Sequence, residues 1–231
     1  MTTSTRKRAE RLSPEQRRAE IVAAARELTR ERGFDQVGMG DVARAVGVVE
    51  GAVYRYFPSK DALLLAVVSE WYERALEDYD RGLRLIEGCR NQLRYMVWRH
   101  LDMVHRDPDL ADLVFKKIRA LPNYRETVVY DLNQKYTILT TGIVRQAMET
   151  GELNRNVPLR IVRDLLFGSV EHHCFAYIRG EGDFSPVDAA EAIVDIVYRG
   201  LQAPVREPAA LDRLAALTDR LEAIANRGER T

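Results

Sequence analysis

A chain of 231 residues, 46% hydrophobic and 30% charged, is long enough to bury a substantial core in one large or two smaller domains. No stretch reaches the roughly 18 uncharged apolar residues that a membrane span needs, and the basic N-terminus has no apolar run behind it, so a cytoplasmic protein with no membrane partner is expected. The net charge is zero but uneven: residues 1–60 hold 12 basic and 8 acidic side chains against 23 and 27 in the remaining 171, as in a nucleic-acid reader joined to an acidic body.

Nearly every segment reads as helix. Ser13-Pro14-Glu15-Gln16 supplies an N-cap, a proline at the first helical position and a capping-box glutamine. Ile21, Ala24, Ala25 and Leu28 then repeat on one face until Gly33. A short second helix, "MGDVARAV" (39–46), stops at Gly47. A third begins near Glu50 and must finish by Phe57, because Pro58 disfavours helical geometry in its predecessor. Ser59 then caps a long fourth helix running to about residue 86. Asp107-Pro108, Asn156-Val157-Pro158 and Ser185-Pro186 read as further cap-plus-proline starts. They divide the rest into helices near 89–105, 108–119, 123–150, 157–180, 186–202 and 208–226. No alternating strand pattern, internal repeat or low-complexity run competes. An all-α chain is therefore expected: a basic arm over 1–12, a small N-terminal bundle over 13–60, and a larger helical domain over 61–231.

Cys89 and Cys174 lie far apart and form no CxxC or Cys/His spacing, so two buried free thiols are expected rather than a disulfide or a zinc site. His172, His173 and Cys174 are consecutive and, on a helix, point in three directions. His100 and His105 are five apart. Neither set has metal-ligand spacing, and no cofactor motif is present.

The segment "DVARAVGVVEGAVYRYF" has the dimensions of a helix-turn-helix, with Gly47 for the turn and small Ala43 for close approach. In that geometry the second helix enters the DNA major groove. Val53 and Phe57, four apart, point into the core. Tyr54 faces away from them, and Tyr56, Arg55 and Lys60 stand near the rim, within reach of phosphate oxygens. Glycine-joined helix pairs also occur in proteins that never touch DNA, and spacing alone leaves that reading open.

The block from Arg17 to Val68, with "ELTRERGF", "DVARAVGV" and "GAVYRYFPSKDALL" in that order, resembles the DNA-binding domain of the TetR family of bacterial transcription factors. The resemblance implies a homodimer whose two heads read a pseudo-palindromic double-stranded DNA operator. It also implies a C-terminal helical domain that binds a small effector and lowers DNA affinity. It assigns DNA contacts to Arg44, Glu50, Gly51, Tyr54, Arg55, Tyr56 and Lys60. Glu50 either accepts from cytosine N4 or merely steadies the helix start. Gly38 and Val49 depart from the family pattern, standing where Thr or Ser commonly caps the second and third helices. Arg6, Lys7, Arg8 and Arg11 of the arm either enter a minor groove or form a solvated tail.

In the C-terminal domain, the helices at 157–180 and 186–202 resemble the pair that forms the family's dimer interface, here through Gly168, Glu171, His172, Ile193 and Val197. Trp98, Met103, Phe115, Tyr136 and Phe167, with Met148, either line an effector cavity or belong to ordinary core. "ETGELNRNVPLRIV" followed by "RDLLFGSVEH" resembles a subset of the family that responds to acyl-CoA thioesters, which implies an apolar tunnel with Arg or Lys at its mouth. An enzyme is disfavoured by the lack of a GxSxG elbow or a glycine-rich phosphate loop. A helical adaptor or sigma-factor-like protein without a ligand switch remains the alternative, but leaves the Tyr54–Lys60 constellation unexplained.

Overall fold

The structure, a computed structural model, describes residues 12–202 and 213–220. They form helices and turns; one isolated bridge joins Leu153 to Gln202, and no strand occurs among the described residues. The arm residues Arg6, Lys7, Arg8 and Arg11 lie outside them. Of the helix expected at 208–226, residues 213–220 are described and helical.

Helix α1, Pro14–Arg32, starts on a complete capping box: the Gln16 amide donates to Ser13 Oγ (3.1 Å) and the Ser13 amide to Gln16 Oε1 (2.8 Å). It ends at Gly33, and a single 3₁₀ turn, Phe34–Gln36, leads to α2, Met39–Ala45. At Gly38 no side chain caps α2; the Asp41 carboxylate instead accepts from the Gly38 amide at 2.9 Å, supplying half of the capping box. Helix α3, Glu50–Tyr54, is shorter than its sequence allows. Ser59 caps α4, Lys60–Leu83, by accepting from the Ala62 amide at 3.1 Å.

The first half of α4 closes the head: Leu63, Leu64, Val67 and Val68 pack with Ile21, Val22, Val42, Val53 and Phe57. Side chains of this size contribute about 1.5–3 kcal/mol each when fully buried. Its second half carries Trp71, Tyr72 and Tyr79 into the body. The body adds α5, Cys89–Arg106; α6, Pro108–Leu113; α7, Val128–Thr150; α8, Leu159–Ile178; and α9, Pro186–Leu201. Buried apolar residues run without a break from the head into the body. Cys89 and Cys174 are free and buried, and burial pushes both thiols up to about 12.

Several starts or ends differ from the sequence expectation. The helix expected from 123 starts only at Val128, after a 3₁₀ turn Tyr124–Glu126, with Thr127 as its cap accepting from the Tyr130 amide at 3.2 Å. Asp107 precedes α6 but does not cap it, because its carboxylate accepts instead from Arg26 Nη2 (2.8 Å) and Trp71 Nε1 (3.0 Å). Asn156 is not a cap either: its amide donates to Asn154 Oδ1 at 2.9 Å, and α8 starts after Pro158. The segment expected as one helix over 108–119 is α-helical only to Leu113. Val114–Ile118 form a π-turn, closed by the Arg119 amide donating to the Val114 carbonyl five residues back at 3.0 Å.

Candidate DNA interface and ligand cavity

Gly47 makes the turn between α2 and α3 at φ 68°, a left-handed conformation that side-chain-bearing residues rarely adopt. The Val48 amide reaches back to the Ala43 carbonyl at 2.9 Å and locks the turn, while Val42, Ala43 and Val53 seal its inner side. Five of the seven residues assigned to DNA face outward. Gly51, Tyr54 and Arg55 are exposed on or just after α3, and Arg44 is exposed beside Asp41, which it meets at 3.1 Å. Glu50 is exposed too; its Oε2 lies so near α2 that a Cβ on Gly40 would meet it at 3.1 Å, which sets the carboxylate between the first turns of the two helices.

The other two are tied inward. Tyr56 is half-buried against the head's core. The Lys60 ammonium donates to the Asp35 carbonyl at 3.2 Å and sits 4.5 Å from the centre of the Phe34 ring. Sequence reasoning saw in Val49 only a missing cap. The structure leaves this valine 77% exposed at the start of α3, apolar surface of the kind that meets a thymine methyl in a major groove.

In the body, a cavity of about 300 Å³ opens between α5, α7, α8 and the residue that ends the π-turn. Its wall is more polar than the sequence suggested: His100, Arg119, Tyr124, Asn133, Gln134, Thr137, Arg163 and Glu171 surround Phe167. Tyr136 is buried behind this wall, stacked on Tyr79 (5.0 Å) and His100 (5.3 Å) and edge-on to Phe167 (5.2 Å). Phe115 lies 4.9 Å beneath the Arg119 guanidinium.

Trp98, Met103 and Met148 are elsewhere. Trp98 lines a separate groove of about 710 Å³ with Tyr95, Arg94, Leu85 and Val187, and the two methionines pack in or against the core. One helical face cannot place all of these rings at one site.

Arg119 organises the cavity. Burial opposes its charge, but Glu171 and the phenols of Tyr72 and Tyr124 outweigh that and raise its pKa. Its guanidinium forms an ion pair with Glu171, 52 residues away. Nothing local in "KKIRALP" marks it, because its partner is set by tertiary packing. His100 is the opposite case: burial, aided by the nearby Arg119 charge, lowers its pKa to about 4, and its Nδ1 has no hydrogen-bond partner among the described residues.

Beyond the cavity, α8 leaves a stripe uncovered: Ile161, Leu165, Gly168, His172 and Phe175, spaced four and three apart, with Ile196 of α9 74% exposed. Of the five residues assigned to a dimer interface, Gly168 and His172 lie on this stripe. Ile193 and Val197 do not; they are half-buried and pack against the core. Glu171 does not either, since it lines the cavity.

Among the described residues, two ion pairs cross from head to body. Arg26 of α1 meets Asp107 in front of α6, and Lys117 of the π-turn pairs with Asp35 of the 3₁₀ turn.

A helix-turn-helix head fused through one long helix to an all-helical body containing a polar-walled cavity defines a class, the helix-turn-helix transcriptional regulators with a helical C-terminal domain. The model of bacterial regulatory proteins of the tetR family matches residues 21–67, and that of the tetracyclin repressor-like C-terminal domain matches residues 87–201. The chain belongs to the TetR family and is a transcriptional regulator.

The fatty acid metabolism regulator protein of Bacillus subtilis is 19% identical over 79% of this chain and 94% of its own. The HTH-type transcriptional activator FasR of Mycolicibacterium smegmatis is 30% identical over 48% of this chain and 50% of its own. The crystal structure of FadR from Bacillus subtilis in complex with stearoyl-CoA superposes with a TM-score of 0.70 at 19% identity, covering 80% of this chain and 99% of that one; at that identity it speaks for the fold.

Proposed function

We propose that the protein is a homodimeric repressor whose two heads bind a pseudo-palindromic operator and which is released by an amphipathic anion of the acyl-CoA type. The observation that carries this reading is the cavity itself. A cationic Arg119 stands on an aromatic floor of Phe115, with Phe167 and the buried Tyr136 nearby, which suits a ligand that combines negative charge with apolar bulk. Two comparisons support the ligand class: a Bacillus subtilis relative is named a fatty acid metabolism regulator protein, and the FadR structure from Bacillus subtilis is in complex with stearoyl-CoA. The exposed apolar side chains Ile161, Leu165 and Phe175 of α8 and Ile196 of α9 support the dimer, since exposed apolar surface of this kind marks a surface that pairs. Arg44, Gly51, Tyr54 and Arg55 would meet the DNA, with Val49 added to them. Lys60 and Tyr56 would contribute by holding the head's shape.

Release follows from linkage. The effector must bind the operator-free state more tightly by the same factor by which it lowers operator affinity. Titrating the DNA upstream of the protein's own gene, with and without palmitoyl-CoA, tests this. A fall in affinity of tenfold or more is expected, and equal affinities would remove this ligand class.

A further inference from the structure

The π-turn Val114–Ile118 lies between the two regions that a ligand-responsive regulator must connect. A π-turn holds one residue more than an α-turn, so it can resolve into α-helix by a one-residue slip that turns the following side chains by about 100°. Here each end of the turn has a partner in a different region. Arg119, whose amide closes the turn, holds Glu171 in the cavity. Lys117, within the turn, holds the carboxylate of Asp35, and its ammonium also sits 5.4 Å from the centre of the Phe34 ring. Lys60 takes the other side of that same 3₁₀ turn, at the Asp35 carbonyl and over the same ring. Phe34–Gln36 lead directly into α2, the first helix of the reading unit.

We propose that this π-turn is the element that couples cavity to head: an anionic ligand group draws Arg119 away from Glu171, the turn refits, and Lys117 releases Asp35. The inference rests on the reading that the cavity takes an anion, but the coupling itself can be measured without ligand or DNA. Lys117 and Asp35 are both solvent-exposed side chains, so their contact is weak, and the expected effect is correspondingly modest. Weakness suits a switch, because a strong clamp would not open at the ligand's request.

The test is hydrogen exchange on the full-length protein, read at the amides of Gln36 and Val37. These donate to the Gly33 and Phe34 carbonyls at 3.2 Å and so report whether the 3₁₀ turn is held. Glu171→Gln removes the ion pair at the cavity end, and Lys117→Ala removes the contact at the head. Each is expected to raise exchange at these amides about threefold while α5 exchange stays unchanged. In the double variant the Glu171→Gln increment should vanish, because its route to the head is already cut.

An unchanged Gln36 and Val37 in Glu171→Gln, or the same increment with and without Lys117, would overturn the proposal. Arg119→Lys alters the ion pair from the other side and enters the same cycle if Glu171→Gln folds poorly. Adding palmitoyl-CoA to the unaltered chain separates the two readings. If the ligand leaves exchange unchanged while Glu171→Gln raises it, the coupling stands and the ligand class falls. If Glu171→Gln has no effect, the coupling falls whatever the ligand does.

Discussion

His100 packs its ring on Tyr136, and its Nδ1 has no partner among the described residues; burial, with the nearby Arg119 charge, lowers its pKa to about 4, against about 6.5 when unfolded, so the folded chain favours the neutral imidazole. Between those values the unfolded state binds the extra proton, and stability therefore rises with pH across this window and is lost as pH falls through it. Denaturant unfolding at pH 7 and pH 5 should show a loss of at most about 2 kcal/mol from this residue, and His100→Gln should flatten that slope. Asp35 and Asp183 act in a different range. Their pKa values are lowered by hydrogen bonds, from Lys117 and from His105 respectively, so what they contribute is present above the usual carboxylate pKa and disappears only at lower pH. At this scale the sequence was least informative. His100 and Arg119 are ordinary residues in ordinary local contexts, and what sets them apart is the company they keep from α7 and α8.

Among the elements, boundaries were legible wherever a residue satisfies its own helix. Ser13, Ser59 and Ser185 each accept from the amide three residues on, as their sequence positions imply. Asp107 offered the same signal and failed because two distant donors, Arg26 and Trp71, outbid the local amides. The π-turn left no sequence trace at all.

Gly82 makes a related point about α4 and α5. A Cβ there would come within 2.1 Å of the Tyr95 ring, whose hydroxyl donates to the Asp78 carbonyl at 2.8 Å, so the glycine makes room for a tyrosine laid across the helix. Gly82→Ala should gain about 1 kcal/mol of helix propensity yet lose more by displacing Tyr95, for a net loss of about 1 kcal/mol in thermal or denaturant unfolding. In a Tyr95→Ala background the same change should become stabilising, since only the propensity gain is left.

For the whole molecule, the all-α architecture and the head-plus-body division were readable from helix periodicity and the Tyr54–Lys60 run. The orientation of α9 was not. Ile193 and Val197 share an apolar helix with Ile196, and only packing against the rest of the body decides which of them remains uncovered. If the stripe on α8 and α9 is the dimer face, light scattering should give a dimer at micromolar concentration. Leu165→Glu or Ile196→Glu should then weaken association by about 100-fold or more, since a carboxylate would be buried without a partner. Ile193→Glu should instead disturb folding, because that side chain packs against the core. A monomeric unaltered chain would remove the dimer reading.

Helix α4 is one unbroken rod of 24 residues that begins at the head's Ser59 cap and ends beside the body's Tyr95. At 1.5 Å per residue it is about 36 Å long, so a tilt of about 5° set at the body end displaces the other end by about 3 Å. In a dimer, two such levers would swing heads that must match major grooves about 34 Å apart. A cavity rearrangement too small to change the fold would thereby be magnified into a spacing error that the DNA, being stiff, would not absorb.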